Sequence, residues 1–117
     1  MDAALPRHWA ERAACRHLEA RGWRLLASNY RLRGAELDLV MQDGATVVVV
    51  EVKQRRSAAY GDPGESIDAR KLARLRAAAQ HFASFALKRP DAPLRLDAVL
   101  LLGTEARFEL RHLEDVG

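Results

Sequence analysis

The stretch that decides the fold is residues 34–57, which read GAELDLVMQDGATVVVVEVKQRRS. Its two runs of aliphatic and β-branched residues, Glu36–Gln42 and Ala45–Lys53, are typical of β-strands. They are joined by Asp43-Gly44, a dipeptide favoured in two-residue hairpin turns because glycine accepts a positive φ angle. The sequence therefore predicts a β-hairpin at the centre of the fold.

Acidic side chains and a lysine share one face of this predicted hairpin. Closing the turn on residues 43–44 pairs Glu36 with Glu51 and sets Asp38 diagonal to Glu51. Because side chains alternate across a strand, every residue can be assigned to one of two faces. One face holds Glu36, Asp38, Val40, Val47, Val49, Glu51 and Lys53, and the opposite face holds Leu37, Leu39, Met41, Val48, Val50 and Val52. The hairpin is apolar enough to be buried on both sides.

Several carboxylates on a buried strand need a compensating cation. An unpaired buried charge costs roughly several kcal/mol, and Lys53 supplies one positive charge only. Mg²⁺, with Mn²⁺ as a substitute, takes oxygen ligands from one or two carboxylates and keeps water and phosphate ligands. Such an ion acidifies a bound water, while an ammonium such as that of Lys53 orients the water or stabilises developing charge. The pattern indicates Mg²⁺-dependent hydrolysis of phosphodiesters by Asp38, Glu51 and Lys53.

A purely structural interpretation of the same residues stays open. Glu51 and Lys53 are two positions apart and could form a salt-bridged edge pair, and Glu36 and Asp38 could cap an exposed strand end. The site is the better interpretation because Asp38, Glu51 and Lys53 share a face of an otherwise apolar hairpin.

The rest of the chain predicts two helices and three further strands. The first helix covers Leu5–Arg21, is followed by Gly22 as a C-terminal cap, and has an inward stripe of Glu11, Ala14, Cys15 and Leu18. The second covers Ile67–Arg89 and is capped by Ser66 or Asp68. Strands are predicted over Trp23–Arg31, Leu94–Leu102 and Arg107–Leu113. The order α-β-β-β-α-β-β predicts one α/β domain over residues 1–117.

Positive charge is concentrated in the middle of the chain. The net charge is +5 for residues 54–89, against +1 for residues 1–53 and −3 for residues 90–117. Such asymmetry suggests an anionic partner, nucleic acid first, although a solvated basic helix face would look the same. The candidate phosphate contacts are Arg55, Arg56, Arg70, Lys71 and Arg74.

The composition points to a cytoplasmic protein without a membrane partner. Cys15 is the only cysteine, so an internal disulfide and multi-cysteine metal sites are excluded. The chain has no apolar run of about 18 residues and no secretory signal. Cys15 itself, in an apolar helix stripe, is expected to be a core residue.

The stretch quoted above closely resembles the YraN-like family of small bacterial proteins, which are predicted endonucleases of the PD-(D/E)XK superfamily, related in fold to archaeal Holliday-junction resolvases. The resemblance runs from Trp9 to Val99. The chain departs from the family's usual pattern at Ala10 and Ala35, where glycines are common, and has Leu37 where the superfamily name has proline. The matching positions are Glu11, Glu36-Leu37-Asp38-Leu39, Glu51-Val52-Lys53, Arg55-Arg56 and Lys71.

The resemblance implies a restriction-endonuclease-like, three-layer core with a central mixed sheet flanked by helices. It implies that Asp38 and Glu51 are metal ligands, that Lys53 is the catalytic lysine, and that Glu11 is an accessory carboxylate and third ligand. The expected function is Mg²⁺-dependent endonuclease action on DNA, including structured or branched DNA. The alternatives are a non-catalytic nucleic-acid-binding module with the same fold and a protein-interaction subunit that uses a free sheet edge. Resolvase-like relatives often form homodimers, but the sequence shows no interface.

Overall fold

The computed structural model describes residues 4–57 and 68–117. The elements follow the predicted order α-β-β-β-α-β-β. They are α1 (Trp9–Ala20), β1 (Arg24–Leu32), β2 (Ala35–Asp43), β3 (Thr46–Arg55), α2 (Ala69–His81) with a π-helical turn (Phe82–Ala86), β4 (Leu94–Thr104) and β5 (Arg107–Leu113).

The strands form one five-stranded mixed sheet in the order β1-β2-β3-β4-β5. The pair β3–β4 is parallel and the other three pairs are antiparallel. A parallel pair needs a crossover connection, and α2 lies on the connection between β3 and β4. β3 is therefore the central strand, which explains why Val47–Val50 are buried without alternation.

Each face of the sheet is covered by one helix, which gives an α/β fold with two apolar cores. The core on the side of α1, here the α1-side core, consists of Ala10, Ala13, Ala14, Cys15, Leu18, Trp23, Leu39, Met41, Val48, Val50, Val99 and Leu101. The core on the other side, the α2-side core, consists of Leu37, Val40, Val47, Val49, Leu75, Ala78, Ala79, Phe82 and Leu96. The buried Cys15 is a core residue, as expected, and burial raises the pKa of its thiol to about 11.

Both helices are shorter than predicted. α1 begins at Trp9 rather than Leu5, because His8 is the N-cap and forms a capping box with Glu11. α2 begins at Ala69, where the Asp68 carboxylate accepts a hydrogen bond from the Lys71 amide at 2.8 Å. The alternative cap Ser66 and the predicted start Ile67 lie outside the described residues. The helical segment ends at Ala86, short of Arg89, and Lys88 has a left-handed φ of 59°.

The hairpin forms, but its turn is one residue later than predicted. The last pair is Asp43 with Thr46, so the turn residues are Gly44 and Ala45. Gly44 has a φ of 59°, so the positive angle falls on the glycine at the first turn position, while Asp43 remains in the strand. Each residue of β2 therefore pairs two residues further along β3 than predicted. Because side chains alternate between the two faces of a strand, a shift by an even number leaves each side chain on its predicted face. If the pairing continued one residue beyond Leu39–Val50, Asp38 would lie directly opposite Glu51 instead of diagonal to it.

Side-chain alternation breaks where β1 and β2 pass the predicted acidic face. Leu37 was predicted on the same face as Leu39, but it lies in the α2-side core while Leu39 lies in the α1-side core. The strand partners Ser28–Leu39 and Tyr30–Leu37 flank Asn29 and Asp38. Asn29 has a φ of 51°, a left-handed conformation that is unusual inside a strand. The change of face in β2 thus lies directly beside this left-handed residue of β1.

Candidate active site

Asp38 lies where β2 and β3 stop pairing. The backbone ladder between these strands ends at Leu39–Val50. Just beyond it, the backbone amide of Val52 donates a hydrogen bond to Oδ2 of Asp38 at 2.9 Å. The carboxylate thus takes the place of a strand partner and is held between the two diverging strands.

Asp38 is surrounded by conditions that disfavour its charge. Burial is the main cause, and the negative charge of Glu51 adds to it, so that the pKa of Asp38 rises to about 7 from its ordinary 3.8. The hydrogen bond from Val52 opposes this rise, and the charge of Glu11 on α1 reinforces it. Asp38, Glu51 and Glu11 are therefore close enough to interact electrostatically, as the sequence pattern and the family resemblance together implied.

Glu51 is a buried acid held by two lysines. Its side chain is 7% exposed, and its Oε1 accepts both from Lys71 Nζ at 2.6 Å and from Lys53 Nζ at 3.3 Å. Glu51 follows Val47 and Val49 on β3, so it faces α2, which carries Lys71. The two ammonium groups supply the compensation that a buried carboxylate requires.

The pKa values of the two lysines are shifted in opposite directions. Burial, together with the neighbouring Lys71, lowers the pKa of Lys53 despite the charge of Glu51. Burial also opposes the charge on Lys71, but hydrogen bonds to Glu51 and Lys53 outweigh it and raise the pKa of Lys71. Lys71 was predicted as a phosphate contact, and the structure places it inside the acidic site.

Glu11 reaches the site from the first turn of α1. Its Oε1 accepts from the Asn29 side-chain amide at 3.0 Å and from the His8 backbone amide at 3.4 Å. Glu11 lines two clefts. One, of about 400 Å³, also contains Arg7, His8, Asn29, Glu36 and Asp38, and the other, of about 280 Å³, also contains His8, Ala10, Val52, Lys53, Gln54 and Arg55.

Glu36 lines the same cleft as Glu11 and Asp38, but its carboxylate is held by arginines. It is paired with Arg7 at 3.2 Å and with Arg31 at 3.6 Å, and its side chain is 34% exposed. The structure thus brings Asp38, Glu51 and Glu11 together with the two lysines, and leaves Glu36 in a surface ion pair.

The donor chemistry of the site suits a hard divalent cation. Within residues 4–57 and 68–117, no three acidic, histidine or cysteine side chains are arranged to hold a metal ion as they stand. Asp38 and Glu51 nevertheless interact directly, and Mg²⁺ is commonly bound by one or two carboxylates with water completing its shell. These two residues could hold Mg²⁺, with Glu11 as a third oxygen donor nearby.

The predicted phosphate contacts fall into two groups. Arg55 is half-buried and donates to the Gln54 carbonyl at 2.9 Å, while Arg56 is exposed after the end of β3. Arg70 and Arg74 are exposed on α2. Arg74 also lines a cleft of about 370 Å³ whose other members are Leu32, Arg33, Gly34, Ala35, Ala77, Ala78 and His81. Among the described residues that line this cleft, none is acidic.

Three features were missed by sequence analysis. The place of Lys71 on Glu51 depends on how α2 packs, which no local pattern reveals. Asn29 had a signal, because asparagine is depleted in strands and tolerates the left-handed region. The third feature is Asp97 of β4, whose fully buried carboxylate is bound by Arg95, His112 and the Asp115 amide.

No helix in the described part of the chain is long and apolar enough to cross a membrane.

Comparison with known proteins places the chain in a family. The model of "Uncharacterised protein family UPF0102" matches residues 10–101. A UPF0102 protein of Thermus thermophilus is 47% identical over 110 residues, which cover 94% of this chain and 95% of the relative. UPF0102 proteins of Pseudomonas entomophila and Dechloromonas aromatica are 49% and 45% identical, covering 80% and 88% of this chain and 76% and 82% of theirs. The resemblance inferred from the acidic hairpin is thereby confirmed at the level of the family, and the chain belongs to UPF0102, the YraN-like family.

Proposed function

We propose that the protein is a Mg²⁺-dependent endonuclease that hydrolyses phosphodiester bonds of DNA, including structured or branched DNA. The observation that carries the proposal is the position of Asp38 and Glu51 at the point where β2 and β3 diverge, with Lys53 two residues further along β3 and in contact with Glu51. A restriction-endonuclease-like fold is part of the proposal. The mixed sheet with one helix on each face supports it.

The charges of the site support the proposal that a divalent cation binds there. Asp38, Glu51 and Glu11 oppose two ammonium groups, and both ammonium groups are directed at one oxygen, Oε1 of Glu51. Asp38 receives a backbone hydrogen bond from Val52, meets the negative charges of Glu51 and Glu11, and shares a side-chain hydrogen bond with Glu51 that also raises its pKa. When bound, Mg²⁺ would acidify a water molecule and neutralise charge on a phosphate.

The protein's own side chains would then divide the remaining tasks. Asp38 and Glu51 would hold the ion, and Lys53 would stabilise the negative charge that develops on the phosphate. Lys53 fits this role because it is 19% exposed and lines the same cleft as Glu11.

Basic residues around the site support nucleic acid as the substrate. Arg56 follows β3 directly, and Arg70 and Arg74 are exposed on the helix that carries Lys71. The cleft beside Arg74 adds Arg33 and His81, which were not predicted. Contacts of this type position a phosphate backbone without reading its sequence.

The direct test is cleavage of single-stranded, duplex and branched DNA and of RNA, with Mg²⁺ or Mn²⁺. Asp38→Asn and Lys53→Met should each lower the rate by about 10²-fold or more, because the first weakens a proposed ligand of the ion and the second removes the charge that would stabilise the phosphate. Asp43→Asn, in the same strand but outside the site, is the matched control and should keep wild-type activity. If the wild-type protein cleaves none of these substrates with either metal, the proposal is wrong.

A non-catalytic nucleic-acid-binding module is the second candidate. The contact of Lys71 with Glu51 favours it, because an ammonium group already occupies the carboxylate that would bind metal. In that case the protein should bind nucleic acid with strong salt dependence, and neither Asp38→Asn nor Lys53→Met should alter any background cleavage.

A further inference from the structure

Asn29 has an unusual backbone for a residue in the middle of a strand. Its φ is 51°, and β1 continues for three residues after it. Asparagine tolerates this left-handed region better than most residues, because its short side chain can form local hydrogen bonds. Non-glycine residues held in sparsely populated conformations cluster at functional sites.

Both ends of the Asn29 side-chain amide are used. Oδ1 accepts from the backbone amide of Arg7 at 3.2 Å, and Nδ2 donates to Oε1 of Glu11 at 3.0 Å. An N–H donor on one side and a carboxylate acceptor on the other fix the orientation of the amide. Asn29 thus connects β1 to the segment that leads into α1 and to the first turn of α1.

These bonds restrain one particular oxygen of Glu11. Oε1 accepts from Asn29 and from the His8 amide, whereas no described residue donates to Oε2. Asn29 also lies between the Ser28–Leu39 and Tyr30–Leu37 pairs, at the level of Asp38 on β2. Asn29, Glu11 and Asp38 line the same cleft of about 400 Å³.

We propose that Asn29 is a positioning residue that holds Glu11 with its second carboxylate oxygen free toward Asp38, and thereby sets the affinity of this acidic cluster for a divalent cation. The inference rests on the proposed function. Partners that orient metal-binding side chains typically contribute about 10- to 100-fold to metal affinity. The left-handed backbone is then part of the device, because it brings the Asn29 amide to Glu11 and Arg7 from within a strand.

The test uses Asn29→Gly, since glycine adopts a positive φ without strain and removes only the amide. The probe is Mn²⁺ alone, titrated into the full chain by calorimetry. Asn29→Gly should weaken Mn²⁺ binding about tenfold. Lys88→Gly is the matched control, because Lys88 also has a left-handed φ, of 59°, and lies in the loop after the π-helical turn. Its Mn²⁺ affinity should equal that of the wild type.

A double-mutant cycle separates positioning from a general structural role. If Asn29 acts through Glu11, then Asn29→Gly should cause no further loss of Mn²⁺ affinity in a Glu11→Gln background. Additive losses in the cycle would overturn the inference. A second measurement does not depend on whether Asn29→Gly folds. Titration of Mg²⁺ should shift the Asn29 side-chain amide signals in the NMR spectrum of the wild type and leave them in place in Glu11→Gln.

The outcomes also distinguish the inference from the function on which it rests. If the wild type binds Mn²⁺ or cleaves DNA and Asn29→Gly does so equally well, the positioning role is wrong and the proposed function stands. If the wild type neither binds the ion nor cleaves DNA, the proposed function fails, and the inference fails with it.

Discussion

Lys71 Nζ lies 2.6 Å from Oε1 of Glu51, closer than Lys53 Nζ, which is 3.3 Å from the same oxygen. The nearest cation to the central buried acid of β3 therefore comes from α2 and not from the strand itself. A helix that packs on the sheet thus completes the electrostatics of a site built by the hairpin. Any metal ion that binds Glu51 through Oε1 must displace Lys71 or share the oxygen with it.

This competition predicts that Lys71→Met tightens the binding of Mn²⁺ to the free protein. The substitution keeps the length of the side chain and removes the charge, so Glu51 loses its closest cation. We expect an increase in affinity of about tenfold, which corresponds to about 1.4 kcal/mol. Calorimetric titration of Mn²⁺ measures it. Arg70→Met, an exposed neighbour on α2, is the control, and equal affinities for all three proteins would contradict the prediction.

The raised pKa of Asp38 predicts that its charge destabilises the metal-free fold. In the unfolded chain the carboxyl loses its proton near its ordinary pKa of 3.8, whereas in the fold it keeps the proton up to about pH 7. Stability is therefore lost as the pH rises through this window and is not lost below it. Asp38→Asn removes the penalty and keeps an acceptor for the Val52 amide.

We accordingly expect Asp38→Asn to be more stable than the wild type at pH 8 by about 2–4 kcal/mol, and equal to it at pH 3. Urea unfolding in the presence of a chelator measures both values. Asp43→Asn should follow the wild type at each pH. A stability difference that does not change between pH 3 and pH 8 would show that the charge of Asp38 is not the cause.

Much of the fold follows from local sequence patterns. The β-branched run of β3 and the Asp-Gly pair predicted the hairpin, the alanine content and a glycine cap predicted α1, and helical spacing predicted α2. The turn was displaced by one residue, because an Asp-Gly pair does not specify whether glycine takes the first or the second turn position. The error left the face assignments of β3 intact, since the partners shifted by an even number.

Strand alternation could predict only those residues of the candidate site that lie on the hairpin. Asp38, Glu51 and Lys53 were predicted because they lie on one hairpin, and Glu11 was implied by the family resemblance. Lys71 and Asn29 could not be assigned in the same way. The role of Lys71 depends on the packing of α2 against β3, and that of Asn29 depends on a left-handed backbone conformation in β1, outside the hairpin on which the prediction relied.

The exposed arginines of α2 predict a measurable salt dependence of DNA binding. If Arg70 and Arg74 each neutralise one phosphate, replacing either by alanine should reduce the slope of log K against log salt concentration by about 1. The loss of affinity should be similar for DNA of any sequence. Arg16→Ala, an exposed arginine of α1, is the control. Unchanged slopes for both α2 variants would place the phosphate contacts elsewhere.

We expect the buried network around Asp97 to stabilise the fold without taking part in catalysis. The carboxylate of Asp97 is fully buried, receives two bonds from Arg95 at 2.8 and 3.0 Å, lies 2.7 Å from His112 Nε2, and accepts from the Asp115 amide at 3.0 Å. Burial works against its charge, but these partners outweigh burial and lower its pKa. Removing one member of such a buried pair costs about 3–5 kcal/mol, because the other charge is left without compensation.

Asp97→Asn should therefore unfold at lower urea concentration at pH 7, by an amount that corresponds to about 3 kcal/mol or more. Because the pKa of Asp97 is lowered in the fold, its charge stabilises the protein above the ordinary pKa of 3.8, and this contribution is lost as the pH falls through the lowered value. The difference in the free energy of unfolding between Asp97→Asn and the wild type should accordingly become smaller below pH 3. Asp91→Asn, at an exposed position before β4, should match the wild type throughout. A variant at Asp97 as stable as the wild type at pH 7 would mean that Arg95 and His112 find equivalent partners without it.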